Sequence, residues 1–498
     1  MATKTISLAD LFLQLWLELE AAPDFEEAIN WQTSHVCETL LFAETLDDFL
    51  KSSNTEVPAD LLRWLQQSAK NPPVDRLQRA LLVAQSIDRW YGPLRAPKTP
   101  PASHARASRQ LYQHGRLNKS DAERSVILRR PIWGRYSDPN YSIPEAGRGP
   151  WDTFTTLFVI PASLEASDPD DSSKKRVISF SYQMLDPAEL RVPSSTEDWK
   201  PKIGFVPLAE ELTDIEVDLF EDASGHWYDT KAIDLGARAA HAIKLLCESD
   251  VEIIIFPEMV IHPDAISVIQ NAVREYGYRS QLRLVLAGTS RSPNGGGMPF
   301  NEALVLNHRG QEIGRQRKLH RWNLDGGLCT RYDFSPSSTL PVGGQVREFI
   351  TPGEDVLVLD SAFGRLAIMI CEDLGRSEPG QWLRDNLMLD WLFTPILDSS
   401  IEPNRWMAQS GAKAAMLQGC RVVVANSVPL THRQNDSNRA AGKQPPLDRC
   451  GIGICMDISD GKTRYHIEKH KLSSSVGSLY IVNWDPSSWE SFPFPTGT

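Results

Sequence analysis

Three side chains in this sequence have the types that covalent attack on a carbonyl or nitrile carbon requires: a thiol, Cys371, an acid, Glu258, and an amine, Lys318. A thiol at its free pKa is mostly protonated at neutral pH, so a nucleophilic cysteine needs a base and a positive neighbour. Glu258 can take that proton and later return it to a leaving amine. Lys318 can favour the thiolate and hold the oxyanion formed on attack, with the backbone N–H of Glu372 as a second donor. Each residue also has a plainer reading. Cys371 can be a buried core thiol, Glu258 a charge at a strand end, and Lys318 one of several basic residues between Arg315 and Arg321.

The flanking residues decide whether such groups can meet. Gly364 to Leu374 reads as an apolar strand giving way to an acidic turn, with Cys371 at the strand's exit, held by a rigid element yet able to face a cleft. Val251 to Glu258 is a second buried-strand pattern, ending in the carboxylate. Lys318 follows a predicted hairpin whose arms are Phe300 to Leu306 and Gln311 to Gly314 and whose turn is Asn307 to Gly310. Helices are predicted over Thr230 to Ser249, with Ala232, Leu235, Ala239, Ile243 and Leu246 on one face, and over Pro263 to Tyr276, Gln381 to Met388 and Asn404 to Gln418. Further strands are predicted at Lys175 to Gln183, Leu282 to Gly288, Asp355 to Asp360, Trp391 to Ile396 and Arg421 to Asn426. A last pair, Gly451 to Ile458 and Ser478 to Trp484, flanks a turn at Ser459 to Gly461, and Lys318 to about Gln345 reads as one long loop. Strands alternating with helices, together with hairpins, indicate an α/β layered domain.

The motifs Phe256-Pro257-Glu258, Arg317-Lys318-Leu319-His320 and Ile370-Cys371-Glu372-Asp373, in this order, resemble those of the nitrilase superfamily of carbon-nitrogen hydrolases. The resemblance implies Cys371 as nucleophile with Glu258 and Lys318 as its partners, in a four-layer α-β-β-α sandwich over roughly Arg176 to Asp485. It also implies hydrolysis of a small amide or nitrile without a cofactor, in a homo-oligomer of at least two subunits. Many family members add a second glutamate between the lysine and the cysteine to position substrate. The candidate is Glu348, ahead of Phe349-Ile350-Thr351-Pro352-Gly353, with Asp325 as the competitor. Glu372-Asp373 resembles the version in glutamine-hydrolysing domains of NAD synthetases and in some amidases, but Gly375 stands where a tryptophan is expected, and no ATP-pyrophosphatase domain is expected to follow. Nitrilase-like domains also occur attached to bacterial defence-associated reverse transcriptases. A catalytically silent interaction module within such an assembly is therefore the competing reading.

At 498 residues the chain exceeds one typical domain. The expected division is a helical N-terminal domain over 1–92, a linker and irregular accessory segment over 93–174, and a nitrilase-like catalytic domain over 175–490. Leu8, Leu11, Phe12, Leu15 and Leu19 lie at helical spacing behind Ser7 as N-cap, with more helices at Ser34 to Lys51, Pro58 to Lys70 and Asp75 to Trp90. Nothing there has catalytic spacing, so the segment reads as a docking or oligomerisation module. Arg95 to Ser103 has linker composition, and Arg106, Arg109, Arg116, Arg124, Arg129 and Arg130 make the following stretch locally basic. Ile127 to Trp133 and Phe154 to Ile160 are candidate strands, and Ser167 to Lys175 reads as an exposed loop.

The net charge of −12 argues against non-specific binding to nucleic acid or anionic membranes by the chain as a whole. No apolar run approaches the ~18 residues of a membrane span, and no basic-then-apolar leader is apparent, so a cytoplasmic protein is expected. Seven cysteines, Cys37, Cys247, Cys329, Cys371, Cys420, Cys450 and Cys455, are too irregular for a disulfide framework. Cys450 and Cys455 with His466 and His470 approach zinc spacing, but Cys455 lies inside an apolar strand pattern and no metal is expected. Asn294-Gly295-Gly296-Gly297 lacks the following Lys-Ser/Thr of a phosphate loop and reads as a turn.

Overall fold

The computed structural model describes residues 7–34, 39, 46, 50, 57, 59–66, 76–90, 126–129, 157–160 and, between 162 and 494, all but 169–173, 186–188, 192–198, 224, 335–343, 362–363, 384–386, 388, 444–445 and 475. The chain divides into two compact units, Met1–Ser163 and Leu164–Thr498.

The N-terminal unit carries helices α1 (Leu8–Glu20), α2 (Phe25–Ser34), α3 (Ala59–Gln66) and α4 (Arg76–Trp90), and an antiparallel pair, β1 (Val126–Arg129) and β2 (Leu157–Ile160). Ser7 caps α1, its hydroxyl oxygen accepting from the Asp10 N–H at 3.1 Å. Leu8, Leu11, Phe12, Leu15 and Leu19 are all buried, because residues three and four apart share one helix face. Arg95 to Ser103, most of the helix expected over Ser34 to Lys51, and Arg106, Arg109, Arg116, Arg124 and Arg130 lie outside the described residues.

The second unit is built on two large sheets. In chain order its strands are β3 (Ser163–Ser167), β4 (Lys175–Met184), β5 (Lys202–Phe205), β6 (Ile215–Asp222), β7 (Gly225–Ala232), β8 (Ile253–Ile255), β9 (Leu284–Ser292), β10 (Phe300–Asn307) and β11 (Glu312–Arg317). They continue with β12 (Val346–Glu348), β13 (Asp355–Ser361), β14 (Gly364–Ile368), β15 (Trp391–Pro395), β16 (Arg421–Ala425), β17 (Arg449–Ser459), β18 (Lys462–Lys471), β19 (Tyr480–Asn483) and β20 (Glu490–Ser491). Among the described residues one sheet runs β11-β10-β9-β8-β5-β19, and the other runs β20-β18-β17-β16-β15-β14-β13-β4-β3. A small sheet, β12-β7-β6, is hydrogen-bonded to neither.

Strands buried on both faces read as continuous apolar runs, and β8, Ile253-Ile254-Ile255, is such a strand. Ile254 packs in one cluster with Ile243 and Leu246 of helix α5 (Gly236–Glu248) and Ile269 and Val273 of helix α6 (Ile266–Tyr276). The opposite face meets the second sheet. A β-carbon on Gly453 of β17 would lie 2.8 Å from the Phe205 ring of β5, and one on Gly314 of β11 would lie 2.6 Å from Leu357 of β13. On the outer side of the second sheet, helix α8 (Trp406–Gln418) approaches so closely that a β-carbon at Gly411 would lie 3.1 Å from Val422. Helices, sheet, sheet and helix make the α/β layering of the nitrilase-like sandwich.

Three expectations are corrected, and one helix is added. The helix read over Thr230 to Ser249 begins only at Gly236. Thr230 and Ala232 belong to β7, whose Trp227 and Tyr228 favour a strand. The long loop after Lys318 contains a further helix, α7 (Gly326–Arg331), and ends in β12. The partner of β17 is β18, not β19, which joins the other sheet beside β5; the charges of Lys462-Thr463-Arg464-Tyr465-His466-Ile467-Glu468 disguise a strand with one wet face. Finally, Pro429–Ala440 forms helix α9, which no sequence signal suggested.

Candidate active site

Glu258, Lys318 and Cys371 leave three different strands. Phe256 closes β8 by donating its N–H to the Leu286 carbonyl at 2.9 Å, and the chain turns at Pro257-Glu258. That turn passes over Gly288, where an added β-carbon would lie 2.1 Å from the Pro257 carbonyl oxygen and 2.8 Å from the Glu258 Cα. Lys318 lies directly after β11, its N–H donating to the Asn301 carbonyl at 2.8 Å. Cys371 starts a single 3-10 turn, Cys371–Leu374, with φ at +49°, a left-handed conformation that side chains rarely adopt. The chain reverses there, and the thiol stays at the rim instead of continuing along the strand.

The centre of the site is the Lys318 ammonium. Nζ donates to Glu258 Oε1 and to Glu348 Oε2, both at 2.8 Å, and all three side chains are 3 % exposed or less. Asn301, 1 % exposed, donates its Nδ2 to Glu258 Oε1 at 2.7 Å and to Glu348 Oε1 at 3.2 Å. Glu348 Oε2 also accepts from the Trp322 N–H at 2.8 Å. One cation and two amide donors thus hold two buried carboxylates, which isolated would be expelled or neutralised. Asp325, the other acid weighed for the loop, is elsewhere: its Oδ1 caps α7 through the Leu328 N–H at 2.8 Å.

Burial is the largest influence on these groups. It raises Glu258 above the ordinary carboxylate range, with Glu348 pushing the same way and Lys318 and Asn301 opposing. Burial alone would lower Lys318, but Glu258 and Glu348 outweigh it and hold the ammonium well above its usual value. Burial carries the Cys371 thiol well up, reinforced by Glu258, while Lys318 and the Leu397 backbone N–H favour the thiolate. Cys371 is thus biased toward the thiol and Lys318 toward the ammonium. Glu372 directs its side chain to Arg376 at 2.5 Å.

Cys371 and Glu372 line a cavity of about 440 Å³ walled by Trp322, Tyr332, Leu397 and Trp406. Asp398 and Arg405, also in its lining, are paired at 2.7 Å. Sequence reading missed Asn301, Trp322, Tyr332, Asp398 and Arg405. Asn301 alone gave a signal, as an amide inside the apolar run Phe300-Asn301-Glu302-Ala303-Leu304-Val305. Cys450 and His470 are cross-strand neighbours, as are Cys455 and His466, but His470 meets the Tyr480 hydroxyl and His466 meets Glu468. Among the described residues no group of three or more His, Cys, Asp or Glu side chains could hold a metal ion. Nor, among them, is any helix long and apolar enough to cross a membrane.

Residues 227–386, which include Glu258, Asn301, Lys318, Glu348 and Cys371, match the family model described as carbon-nitrogen hydrolase. This part of the chain is similar to a carbon-nitrogen hydrolase domain. No curated protein matches the sequence. Among solved structures, the chain is similar to glutamine-dependent NAD+ synthetase from Acinetobacter baumannii at 16% identity and a TM-score of 0.35, over 58% of this chain and 46% of that one. The chain therefore spans under half of that protein. Saccharomyces cerevisiae Nit3, a member of branch 10 of the nitrilase superfamily, matches at 14% identity and a TM-score of 0.35, over 58% and 91%. An amidase from Nesterenkonia sp. matches at 13% identity and a TM-score of 0.35, over 57% and 89%.

Proposed function

We propose that the chain hydrolyses the carbon-nitrogen bond of a small amide through a thioester on Cys371. The observation that carries this reading is the buried Lys318 ammonium, bonded to Glu258 and Glu348 beside a thiol that lines a cavity. In the first half-reaction the Cys371 sulfur attacks the amide carbon while its proton passes to Glu258. The oxyanion is stabilised by Lys318 and the backbone N–H of Glu372. Collapse breaks the C–N bond, Glu258 protonates the departing amine, and an acyl thioester remains. Water, deprotonated by Glu258, then attacks the thioester, and the acid leaves as the thiol recovers its proton. Glu348 acts as a positioning residue, holding Lys318 together with Glu258.

An electrophilic amide or nitrile probe tests the nucleophile. Selective adduct formation at Cys371, abolished in Cys371→Ala, with turnover of at least one member of a panel of small amides, is the expected result. Intact protein that is neither labelled at Cys371 nor active would instead support the interaction-module reading.

A further inference from the structure

Arg331, at the end of α7, lines the Cys371 cavity and also a second cavity of about 580 Å³; Arg405 lines both as well. The two cavities therefore adjoin along these guanidinium groups. The second differs in character from the aromatic-walled first one. Its lining includes Arg331, Arg405 and Lys443 and the amides of Asn404, Gln434 and Asn438, and no carboxylate among the described residues.

The cations are not equivalent. Arg405 is neutralised by Asp398 at 2.7 Å. In the first cavity Arg376 is likewise paired with Glu372. The side chains of Arg331 and Lys443 make no ion pair or hydrogen bond with a described residue of the protein. Asp436, the nearest acid in sequence on α9, is engaged by Arg439 at 2.6 Å. An uncompensated double positive charge with amide groups around it suits one class of ligand, an oxyanion.

We propose that the substrate carries an anionic group, carboxylate or phosphate, at the end remote from the scissile amide, and that Arg331 and Lys443 bind it in this second cavity. The inference rests on the Cys371 reading for the position of the amide and adds the chemical class of the rest of the molecule. The amide carbon lies at Cys371, a spacer passes between Trp322, Tyr332 and Trp406, and the anion is received where the cavities meet.

The test uses monoamides of straight-chain dicarboxylic acids from succinic to sebacic, their phosphonate analogues, methyl-terminated amides of the same lengths, and amides ending in an ammonium group. Expected is a kcat/KM that favours anionic over methyl-terminated amides, peaks at one spacer length and loses its preference at high salt. Arg331→Ala should reduce the ratio of anionic to neutral kcat/KM by about ten- to hundred-fold, the scale of a lost charge-assisted hydrogen bond, and Lys443→Ala should act in the same direction. Arg331→Glu should turn the preference toward ammonium-ended amides, which misfolding cannot do. The carboxylate and phosphonate series tell which oxyanion is preferred. Calorimetry on Cys371→Ala protein separates the two readings. Binding of anionic amides that weakens in an additional Arg331→Ala, with no amide turned over by the unmodified chain, would retain the anion subsite and remove the Cys371 mechanism. Equal turnover of neutral and anionic amides, or no binding of any anionic member, would overturn the subsite.

Discussion

The Asp373 carboxylate holds His320 twice: Oδ1 accepts from the His320 backbone N–H at 2.9 Å and lies 3.0 Å from its Nδ1. Oδ2 accepts from the Leu319 N–H at 2.9 Å. Two residues after Cys371, one carboxylate therefore fastens the segment that follows Lys318 to the turn that carries the thiol. Asp373→Asn replaces one acceptor oxygen by a donor and leaves a buried N–H of Leu319 or His320 unmatched. A loss of about 1–3 kcal/mol is expected from that orphaned group, read from the urea midpoint. Because Lys318 and Cys371 lose their common anchor, kcat should fall by more than the change in folded fraction. Unchanged kcat would show that the two turns are located independently.

Gly288 sets the position of Glu258, the proposed general base. Any β-carbon there collides with the Pro257 carbonyl and the Glu258 Cα, both backbone atoms that cannot rotate away. Gly288→Ala should cost roughly 1–3 kcal/mol in stability, as overpacking does. At temperatures where the variant is folded, kcat should fall while labelling of Cys371 by a small alkylating agent persists. Normal turnover in Gly288→Ala would show that Glu258 tolerates displacement.

How much of this was legible in the sequence follows from how local each signal is. Glu258 and Cys371 each end an apolar run, and Lys318 follows the second arm of a hairpin, so each can be picked out one at a time. Ser7 likewise announces its helix by a cap three residues long. The support of Glu348 is different in kind: Asn301 and Trp322 reach it from a separate hairpin and a separate loop, and no spacing encodes that meeting. The cavity walls are further still from the motifs. Asp398 and Arg405 follow β15, beyond the residues that match the family model. Asp325 illustrates the converse. Its place after the lysine suits a site acid, yet the residues that follow it form a helix and the carboxylate serves as its cap. Charged strands such as β18 fail for another reason, since one solvated face erases the apolar alternation that pattern reading depends on.

The acid limb of the rate profile should report Glu258, which in the proposed mechanism must be ionised to accept the thiol proton. Burial first, and the Glu348 charge next among the raising causes, place its pKa above the ordinary carboxylate range, so activity should decline on acidification at a pH above about 4.3, the reference glutamate value. Glu348→Gln removes a like charge, and the folded pKa of Glu258 falls. The limb should therefore move to lower pH, with kcat reduced because Lys318 loses an ionic partner. A limb that does not move would place the titration on another group.

Asn301→Leu makes the opposite shift. The Asn301 amide donates to Glu258 at 2.7 Å and to Glu348 at 3.2 Å, and its bond to Glu258 favours the ionised form of that carboxylate. Leucine removes both donors while roughly preserving volume, so the protonated form of Glu258 gains and its pKa rises. The acid limb should therefore move to higher pH in Asn301→Leu and to lower pH in Glu348→Gln. A general loss of packing would weaken the two variants alike and move neither limb in a charge-dependent sense. Profiles of kcat/KM for a single amide across the acidic range read the contrast directly, and shifts of the same sign in both variants would refute Glu258 as the group that titrates.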